Sequence, residues 1–248
     1  MPHRDNCAYI AALNQTTLAA SAADVISVAR QKIATGRLAL VSSFGADAVV
    51  LLHLLAQADT KLPVLFIDTE LLFEEPLTYQ HRITAVLGLE NVQVIRTNPK
   101  YLRTHDPDNT LHQRDADHCC HIRKTGPLDC ALAPYEGWIS GRKRFQRKSR
   151  AKLDHFECDT RTQKIKISPL AHWSEDRLRQ YMSTYNLPRH PLVAKGYPSI
   201  RCAPCTTSVA VGDDPRAGRW PGQDKTECGL HTARNTIPIQ RLSLWHTT

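Results

Sequence analysis

The sequence has no long apolar run and few cysteines for its length. No stretch approaches the roughly 18 uninterrupted apolar residues of a membrane helix, so a membrane span is excluded. Eight cysteines among 248 residues are too sparse for a disulfide scaffold. The opening MPHRDNCAYIAALNQ also lacks the charged, apolar and small-residue order of a secretory signal. We therefore expect a cytoplasmic protein whose thiols are reduced or bound to a metal.

The composition is that of an ordinary globular protein with a surplus of positive charge. Hydrophobic residues make up 42% of the chain and charged residues 23%, which suffices for one substantial core. Lysine and arginine number 32 against 24 aspartates and glutamates, a formal charge of +8. This surplus favours an anionic partner, but it does not separate a polymer from a small molecule.

Apolar periodicity divides the chain into three segments. Residues 1–36 show helical spacing, residues 37–190 alternate strand and helix patterns, and residues 191–248 are loop-rich. Strands are predicted at Leu38–Val41, Pro63–Ile67, Val92–Arg96 and Trp138–Ser140, with helices between the first three at Ala48–Leu55 and Pro76–Leu87. Because strands that alternate with helices pair in parallel, we expect an open, mainly parallel α/β sheet.

A charge-rich stretch interrupts this pattern. Residues 143–152 are crowded with Lys and Arg, and short strands are predicted after them at Phe156–Asp159 and Lys164–Ile167. We expect a subdomain boundary there. A further helix is predicted to begin after the N-cap Ser174, with acidic residues in its first turn, and to end before Pro188.

Two pairs of cysteines have the spacing of a metal site. Cys202 and Cys205 are separated by two residues, so both thiolates can reach one metal from a single turn. Cys119 and Cys120 are adjacent, and adjacent side chains diverge by about 100° on a helix. That divergence suits a cubane with several iron corners better than one zinc ion. Spacing alone leaves open an iron–sulfur cluster, a zinc site, and thiols or a redox disulfide without a metal.

A lone cysteine, Cys228, stands in the polar segment KTECGLH at residues 225–231. This segment is too polar for a core, and its lysine and histidine would stabilise a thiolate. An exposed thiol without a role is the alternative. The remaining cysteines have no partner pattern and are interpreted as packing residues: Cys7, Cys130 and Cys158.

Residues 42–47 form a turn of mostly small residues between a predicted strand and helix. Such a turn brings backbone N–H groups and the positive helix end to an anion, although chain reversal alone would favour the same residues. A set of cations accompanies the cysteines in the sequence: Lys124, Arg142, Lys143, Arg144, Arg216 and Arg219. Singly, each is most often a solvated charge. The guanidinium forks of Arg216 and Arg219 also match the oxygens of sulfate or phosphate.

Taken in their order along the chain, the motifs resemble those of the assimilatory adenylyl-sulfate reductases, the iron–sulfur branch of the phosphoadenylyl-sulfate reductase family. The resemblance covers about residues 38–231. It is carried by the two cysteine pairs, by Gly218-Arg219-Trp220 and by KTECGLH. Supporting stretches are SSFGADAVV at 42–50, FIDTE at 66–70, GRKRFQ at 141–146 and ISPLAHWSED at 167–176.

The resemblance implies an α/β fold of the adenine-nucleotide phosphate-loop, ATP pyrophosphatase-like type, with the nucleotide at the strand ends. A [4Fe–4S] cluster would be held by Cys119, Cys120, Cys202 and Cys205. The phosphosulfate would lie at Ser42, Ser43 and Gly45, and the adenosine near Phe66, Ile67 and Asp68. Lys124 would link the cluster to the sulfate. The anion would be held by Arg144, Arg216, Arg219 and His231.

The implied activity is thiol-dependent reduction of adenylyl sulfate to sulfite and AMP in assimilatory sulfate reduction. Cys228, on a mobile tail, would attack the sulfur atom, expel AMP and become an S-sulfocysteine, from which thioredoxin or glutaredoxin releases sulfite. Because thiolate and phosphosulfate are both anionic, the attack needs cations nearby. The cluster is interpreted as structural and electrostatic, since thiols supply both electrons. No nucleic-acid or membrane partner is expected, and a homo-oligomer is left open.

The chain departs from the family pattern at four positions. Ala48 stands where a polar residue is common, Glu70 and Arg201 replace glycines, and Pro221 replaces a second tryptophan after Trp220. These departures bear on the nucleotide contacts. They leave the four cluster cysteines and Cys228 in place.

Three alternatives accompany this interpretation. The nearest is reduction of the 3′-phosphorylated nucleotide, phosphoadenylyl sulfate; family members without a cluster usually prefer that substrate, so the cysteine pairs favour adenylyl sulfate. A tRNA-thiolating enzyme would need the turn Ser-Gly-Gly-x-Asp-Ser, where this chain has SSFGADA. A redox sensor or nucleic-acid-binding module would tolerate the loss of Cys228.

Overall fold

A computed structural model describes residues 3–159, 163–222 and 225 of the chain, without the side chains of residues 3–7. The helices are α1 (His3–Thr16), α2 (Ala22–Lys32), α3 (Ala48–Ala58), α4 (Glu74–Leu87), α5 (Pro99–His105), α6 (Leu111–Arg114), α7 (Ala116–Cys120), α8 (Gly126–Leu132), α9 (Glu175–Thr184) and α10 (Pro191–Ala194). A π-helical turn, His121–Thr125, joins α7 to α8. Among these described elements, none has the length and apolarity of a transmembrane helix.

One six-stranded sheet organises the molecule. Its strands are β1 (Leu38–Ser42), β2 (Val64–Ile67), β3 (Val92–Ile95), β4 (Gly137–Ser140), β5 (Phe156–Cys158) and β6 (Ile165–Ile167). Their order is β3-β2-β1-β4-β6-β5, and all neighbours are parallel except the antiparallel pair β5 and β6. The predicted open, mainly parallel α/β sheet is confirmed.

The two faces of the sheet bury two different cores, because successive strand residues point to opposite faces. The first, here called the aliphatic core, takes Leu40 of β1 and Phe66 of β2 against α1 to α4 and α9. The second, the cysteine core, takes Ala39 and Ile67 from the same strands against α8. It also contains Cys202, Cys205, Trp138 and Trp220.

The two N-terminal helices pack on the aliphatic core. Val25 and Ile26 of α2 are fully buried there. A capping box between Ser21 and Asp24 starts α2 by satisfying backbone donors of its first turn. Asn14 of α1 donates to the carbonyl of Phe156 (2.9 Å) and accepts from its N–H (2.8 Å), so the edge strand β5 is covered by a side chain.

The predicted subdomain boundary after the charged stretch is wrong. Residues 144–150 form two short 3₁₀ turns, and β5 and β6 then extend the same sheet beside β4. The chain stays in one layer because Ile167 of β6 and Phe156 of β5 bury their side chains in the aliphatic core. A charged stretch therefore does not require a new folding unit, and two of its cations, Lys143 and Arg150, are themselves buried.

Candidate functional site

A cavity of about 180 Å³ opens where β1 and β4 end. In the strand order, β2 and β4 lie on opposite sides of β1. The chain therefore leaves β1 towards one edge of the sheet and later returns to its other side at β4, so the strand order reverses between β1 and β4. Open α/β sheets bind ligands at this topological switch point, beyond the carboxyl ends of the strands. The lining includes seven residues singled out from the sequence: Ser42, Ser43, Gly45, Ile67, Lys124, Arg216 and Arg219.

The turn after β1 forms the floor of this cavity. Phe44 occupies the left-handed region with φ 44°, and its N–H donates to Ser42 Oγ (3.1 Å). The Phe44 ring is buried and packs edge-on against Phe66 in the aliphatic core, which anchors the turn from beneath. Gly45 and α3 then follow, so the first backbone N–H groups of an 11-residue helix begin at the cavity. This arrangement suits an anion.

Lys143 and Asp47 form an ion pair in the cavity wall. Lys143 Nζ lies 3.3 Å from Asp47 Oδ2, and the lysine side chain is only 3% exposed. Burial lowers the pKa of Lys143, and the neighbouring Asp47 opposes that change. The ion pair with Asp47 holds Lys143 at the anion-binding end of the cavity.

Two arginines reach the cavity from the C-terminal part of the described chain. Arg219 Nη1 donates to Ser199 Oγ (3.2 Å), and its guanidinium lies over the Trp220 ring at 4.5 Å. Gly218 precedes it, and a Cβ at this position would lie 2.1 Å from the Thr207 carbonyl oxygen. Any larger residue at position 218 would therefore force the backbone of one of the two segments to shift. This close approach seats the 218–220 stretch beside the Cys202 and Cys205 turn.

Three residues predicted to contact the substrate do not line this cavity. Phe66 is buried in the aliphatic core, because it alternates with Ile67 across β2. Arg144 donates to Asp154 Oδ1 (2.9 Å) and to the Leu153 carbonyl oxygen (2.7 Å), outside the cavity lining. Asp68 pairs with Arg96 at 2.9 Å. The cavity takes Ile67 and Lys143 in place of their neighbours Phe66 and Arg144.

Sequence reasoning missed further lining residues. Arg150, Ser199 and Arg201 line the cavity, and so do Arg142 and Lys143, which were named among the cations without a place in the site. The signal for Lys143 was its position three residues after the end of β4, at the ligand-binding edge of the sheet. Residues 198–201 carried no such signal, since they reach the cavity from a loop that lacks periodicity.

The four cysteines predicted to bind metal come together at one side of the cavity. Cys119 and Cys120 end α7, whereas Cys202 precedes a short 3₁₀ turn and Cys205 is its last residue. Burial, together with charge repulsion from Cys120 and Cys202, raises the pKa of Cys119 to about 12. Burial, then Cys202 and Cys120, raises the pKa of Cys205 to about 11, whereas Lys124 and Arg219 oppose that rise. Each pair thus lies within electrostatic range of the other.

The turn after β2 holds the second cysteine pair. Thr69 Oγ1 lies 3.2 Å from Cys202 Sγ, and the Ala203 N–H donates to the Leu71 carbonyl oxygen (2.7 Å). Glu70 has φ 59°, in the left-handed region, and its N–H donates to Asp68 Oδ1 (2.9 Å). This conformation explains why a glycine is expected at that position in the family pattern.

Cys228 and His231 lie outside the described residues. Lys225, which is described, donates to the Ala116 carbonyl oxygen (2.7 Å) and lies 2.8 Å from Asp117 Oδ1. Both partners belong to α7, the helix that carries Cys119 and Cys120. The KTECGLH segment therefore begins beside the first cysteine pair.

Comparisons with known proteins agree with this geometry. Residues 37–208 match the family model described as the phosphoadenosine phosphosulfate reductase domain. The chain is 44% identical to the adenosine 5'-phosphosulfate reductase of Mesorhizobium japonicum, over 89% of this chain and 86% of that protein. It is 40% identical to the phosphoadenosine 5'-phosphosulfate reductase of Gloeobacter violaceus, over 79% and 82%.

Solved structures share the fold. The phosphoadenylyl-sulfate reductase of Candida auris, in a phosphate complex, superposes with a TM-score of 0.69 at 20% identity, over 81% of this chain and 96% of that one. The FMN adenylyltransferase of Candida glabrata, with FMN and an ATP analogue, gives 0.53 at 16% identity, over 80% and 66%. These likenesses support the predicted phosphate-loop fold class.

Proposed function

Because the chain belongs to the phosphoadenosine phosphosulfate reductase family, we propose that it reduces adenylyl sulfate to sulfite and AMP with electrons from thiols. The observation that carries this proposal is a single cavity in which the turn after β1 faces Lys124, beside the cysteine pairs. An anion-binding turn and a cation next to buried thiols are what the reaction of a phosphosulfate requires.

The first step is sulfonation of Cys228. Its thiolate attacks the sulfur atom, a bond forms between Cys228 Sγ and that sulfur, and the bond between sulfur and the bridging phosphate oxygen breaks. The bridging oxygen keeps the electron pair, so AMP leaves as an anion and Cys228 becomes an S-sulfocysteine. No proton is required by AMP as it leaves, because its phosphate is a stable anion.

The second step uses a protein dithiol of the thioredoxin or glutaredoxin class, which the cytoplasm keeps reduced. One of its thiolates attacks Cys228 Sγ, and sulfite leaves with the electron pair of the S–S bond. The second thiolate of the partner then attacks the mixed disulfide. Cys228 returns as a thiolate and the partner becomes a disulfide, so two electrons have passed from dithiol to sulfite.

Cations of the cavity make the first step feasible. A thiolate and a phosphosulfate repel each other, and the repulsion is strong in a site of low dielectric. Lys124 and Arg219 are both less than one-tenth exposed, and both lie close enough to lower the pKa of Cys205. We assign them, with Arg216, to the sulfate and to the charge that develops in the transition state.

The four cysteines fit a [4Fe–4S] cluster. The described cysteines form no disulfide; Cys119, Cys202 and Cys205 are buried, and burial raises the pKa of the Cys119 and Cys205 thiols. Buried thiolates need a cationic partner, which iron would supply. Within the part of the chain that the structure describes, no group of three His, Cys, Asp or Glu side chains could hold a metal ion. The adjacency of Cys119 and Cys120 favours a cluster with several iron corners over a single zinc ion. When bound, the cluster supplies structural cross-linking and charge beside Lys124.

The test begins with anaerobic purification and measurement of iron and sulfide. The protein is then incubated with adenylyl sulfate without any reductant, and the peptide containing Cys228 is weighed. We expect a mass increment of one SO3 group, and sulfite only after a reduced dithiol protein is added. Cys228→Ser is the control and should retain iron but form no adduct. An iron-loaded wild-type protein that forms no adduct contradicts the proposal.

Reduction of phosphoadenylyl sulfate is the second candidate. The Gloeobacter violaceus relative bears that name at 40% identity, close to the value for several relatives named adenosine 5'-phosphosulfate reductase. Turnover with each nucleotide decides between the two substrates. We expect faster turnover per unit concentration with adenylyl sulfate; a strong preference for the 3′-phosphorylated nucleotide would reverse the assignment.

A further inference from the structure

A buried arginine lies between the two cysteine pairs. Arg123 belongs to the π-helical turn that follows Cys120, and its side chain is 1% exposed. Its sequence neighbour Lys124 lines the cavity, whereas Arg123 is outside the cavity lining. The proposed reaction does not use the Arg123 charge. Because burying a charge is unfavourable unless it is paired, the contacts of Arg123 must explain its position.

The guanidinium of Arg123 joins three segments of the chain. Nε and Nη2 donate to Asp106 Oδ2 at 3.0 and 2.6 Å, and the Asp106 side chain is fully buried. Nη2 also donates to Asn109 Oδ1 (2.6 Å), and Nη1 donates to the Thr69 carbonyl oxygen (2.8 Å). One planar group thereby connects the π-helical turn, the loop after α5 and the turn after β2.

The contact with Thr69 leads directly to the second cysteine pair. Thr69 Oγ1 lies 3.2 Å from Cys202 Sγ, so the residue that accepts from Arg123 through its carbonyl contacts Cys202 through its side chain. The bridge between Leu72 and Cys202 holds the same turn against the 202–205 segment. Arg123 is thus two contacts away from Cys202 and three residues away from Cys120.

We propose that Arg123 is a positioning residue that sets the spacing between the two cysteine pairs and so governs retention of the iron–sulfur cluster. This rests on the proposed function, since it concerns the cluster assigned there. A shift of α7 away from the turn after β2 would separate thiols that must bind one rigid group. Outer contacts of this kind commonly change metal affinity without touching the metal.

Lysine tests the geometry separately from the charge. Its ammonium can pair with Asp106 but cannot also reach the Thr69 carbonyl as a planar fork does. In the anaerobically purified holoprotein, we expect Arg123→Lys to lose iron to a ferrous-iron chelator about 10- to 100-fold faster than wild type. Visible absorption of the cluster and far-UV circular dichroism are followed together, at a temperature well below unfolding.

The matched control is Arg114→Lys. Arg114 also pairs with an aspartate, Asp108, at 3.1 Å and precedes Cys119 by five residues, but both side chains are at least half exposed. It should lose iron at the wild-type rate. A purely structural role for Arg123 would lower the unfolding temperature of Arg123→Lys and leave iron loss from the folded protein unchanged, which would overturn the proposal.

A double variant covers the case in which Arg123→Lys does not fold. Arg123→Met with Asp106→Leu removes both buried charges, and such replacements are often neutral for folding. This double variant should fold and still lose iron faster than wild type, because the hydrogen bond from residue 123 to the Thr69 carbonyl is gone. Wild-type retention of iron by either folded variant rejects this inference alone. Failure of the iron-loaded wild type to form the Cys228 adduct rejects the proposed function instead.

Discussion

The aliphatic core and the cysteine core share the same strands but differ in what they bury. In β1 and β2, Leu40 and Phe66 face one side and Ala39 and Ile67 the other. The first side is filled by aliphatic and aromatic side chains of five helices. The second is smaller and places thiols, two tryptophans and buried cations close together. One face therefore supplies most of the hydrophobic stabilisation, and the other holds the thiols and cations assigned to the proposed reaction.

This division has a physical basis. Burial of apolar area stabilises the fold without regard to direction, whereas buried thiols and cations cost free energy unless they meet specific partners. A protein can bury such groups on one face of a sheet when apolar burial on the other face stabilises the fold by more than they destabilise it. Substitutions on the two faces should therefore have separable effects on stability and on iron content.

The largest effect is expected in the cysteine core. Cys205→Ser should leave the protein folded but unable to retain a full complement of iron, and sulfite formation should fall more than about 100-fold. Iron analysis and turnover with adenylyl sulfate measure this. Cys130→Ala is the control, since Cys130 is equally buried in α8 but is interpreted as a packing residue. Loss of iron in the control would contradict that division of roles.

The aliphatic core should respond in the opposite way. Leu52 of α3 is fully buried there, and Leu52→Ala should lower the free energy of unfolding by about 2–5 kcal/mol through lost burial and a cavity. Urea titration gives this value. Val86→Ala on the exposed side of α4 should change it by less than about 0.5 kcal/mol. Iron per folded molecule should stay at the wild-type ratio in both, and a selective loss in Leu52→Ala would show that the faces are coupled.

The smallest effect concerns His190, which packs beside the aliphatic core. Its ring lies against Tyr79 of the aliphatic core, with the ring centroids 4.6 Å apart and the planes tilted by 56°, and its Nδ1 accepts from the Leu192 N–H (3.1 Å) at the start of α10. Burial lowers the pKa of His190 to about 4, and Glu75 opposes this. The neutral ring is therefore favoured in the fold, so its contribution is complete above pH 6.5 and is lost as the pH falls towards 4. Protonated Nδ1 cannot accept a hydrogen bond.

Unfolding free energies at pH 7, 5.5 and 4 measure this contribution, which we expect to be about 1–2 kcal/mol. His190→Asn keeps a capping acceptor that does not titrate in this range, so the free energy of unfolding should fall less steeply with decreasing pH in this variant. The residual slope would come from other groups, including His155, whose pKa burial also lowers to about 4. An identical pH profile for wild type and His190→Asn would assign the acid sensitivity elsewhere.

Elements with strong periodicity were predictable. Strands β1 to β4 and helices α3, α4 and α9 lie within a few residues of their predicted bounds, because a buried strand or an amphipathic helix needs a regular apolar pattern. Helices α5 to α8 were not predicted. They are short, and the π-helical turn between α7 and α8 interrupts the period on which such prediction depends.

Site residues show the same contrast between local and non-local information. The turn after β1 and the CxxC spacing are local patterns; the structure places the turn in the cavity lining and Cys205 near Lys124 and Arg219, which line it. Lys143 lines the cavity and pairs with Asp47, whereas Arg144 pairs with Asp154 outside it. This difference depends on the fold of residues 144–150 and cannot be read from two adjacent cations in the sequence. Roles for Cys228 and His231 stay predictions.

The sequence by itself determined the class of fold and the set of reactive side chains, since strand and helix periods, cysteine spacing and cationic composition are properties of the chain order. Only the tertiary structure decided which neighbours enter the site: Ile67 over Phe66, Lys143 over Arg144, and Arg123 between the cysteine pairs. Those choices depend on contacts between residues distant in the chain, such as Thr69 with Cys202. Close packing settles them, because a buried polar group is stable only where a partner from another segment meets it.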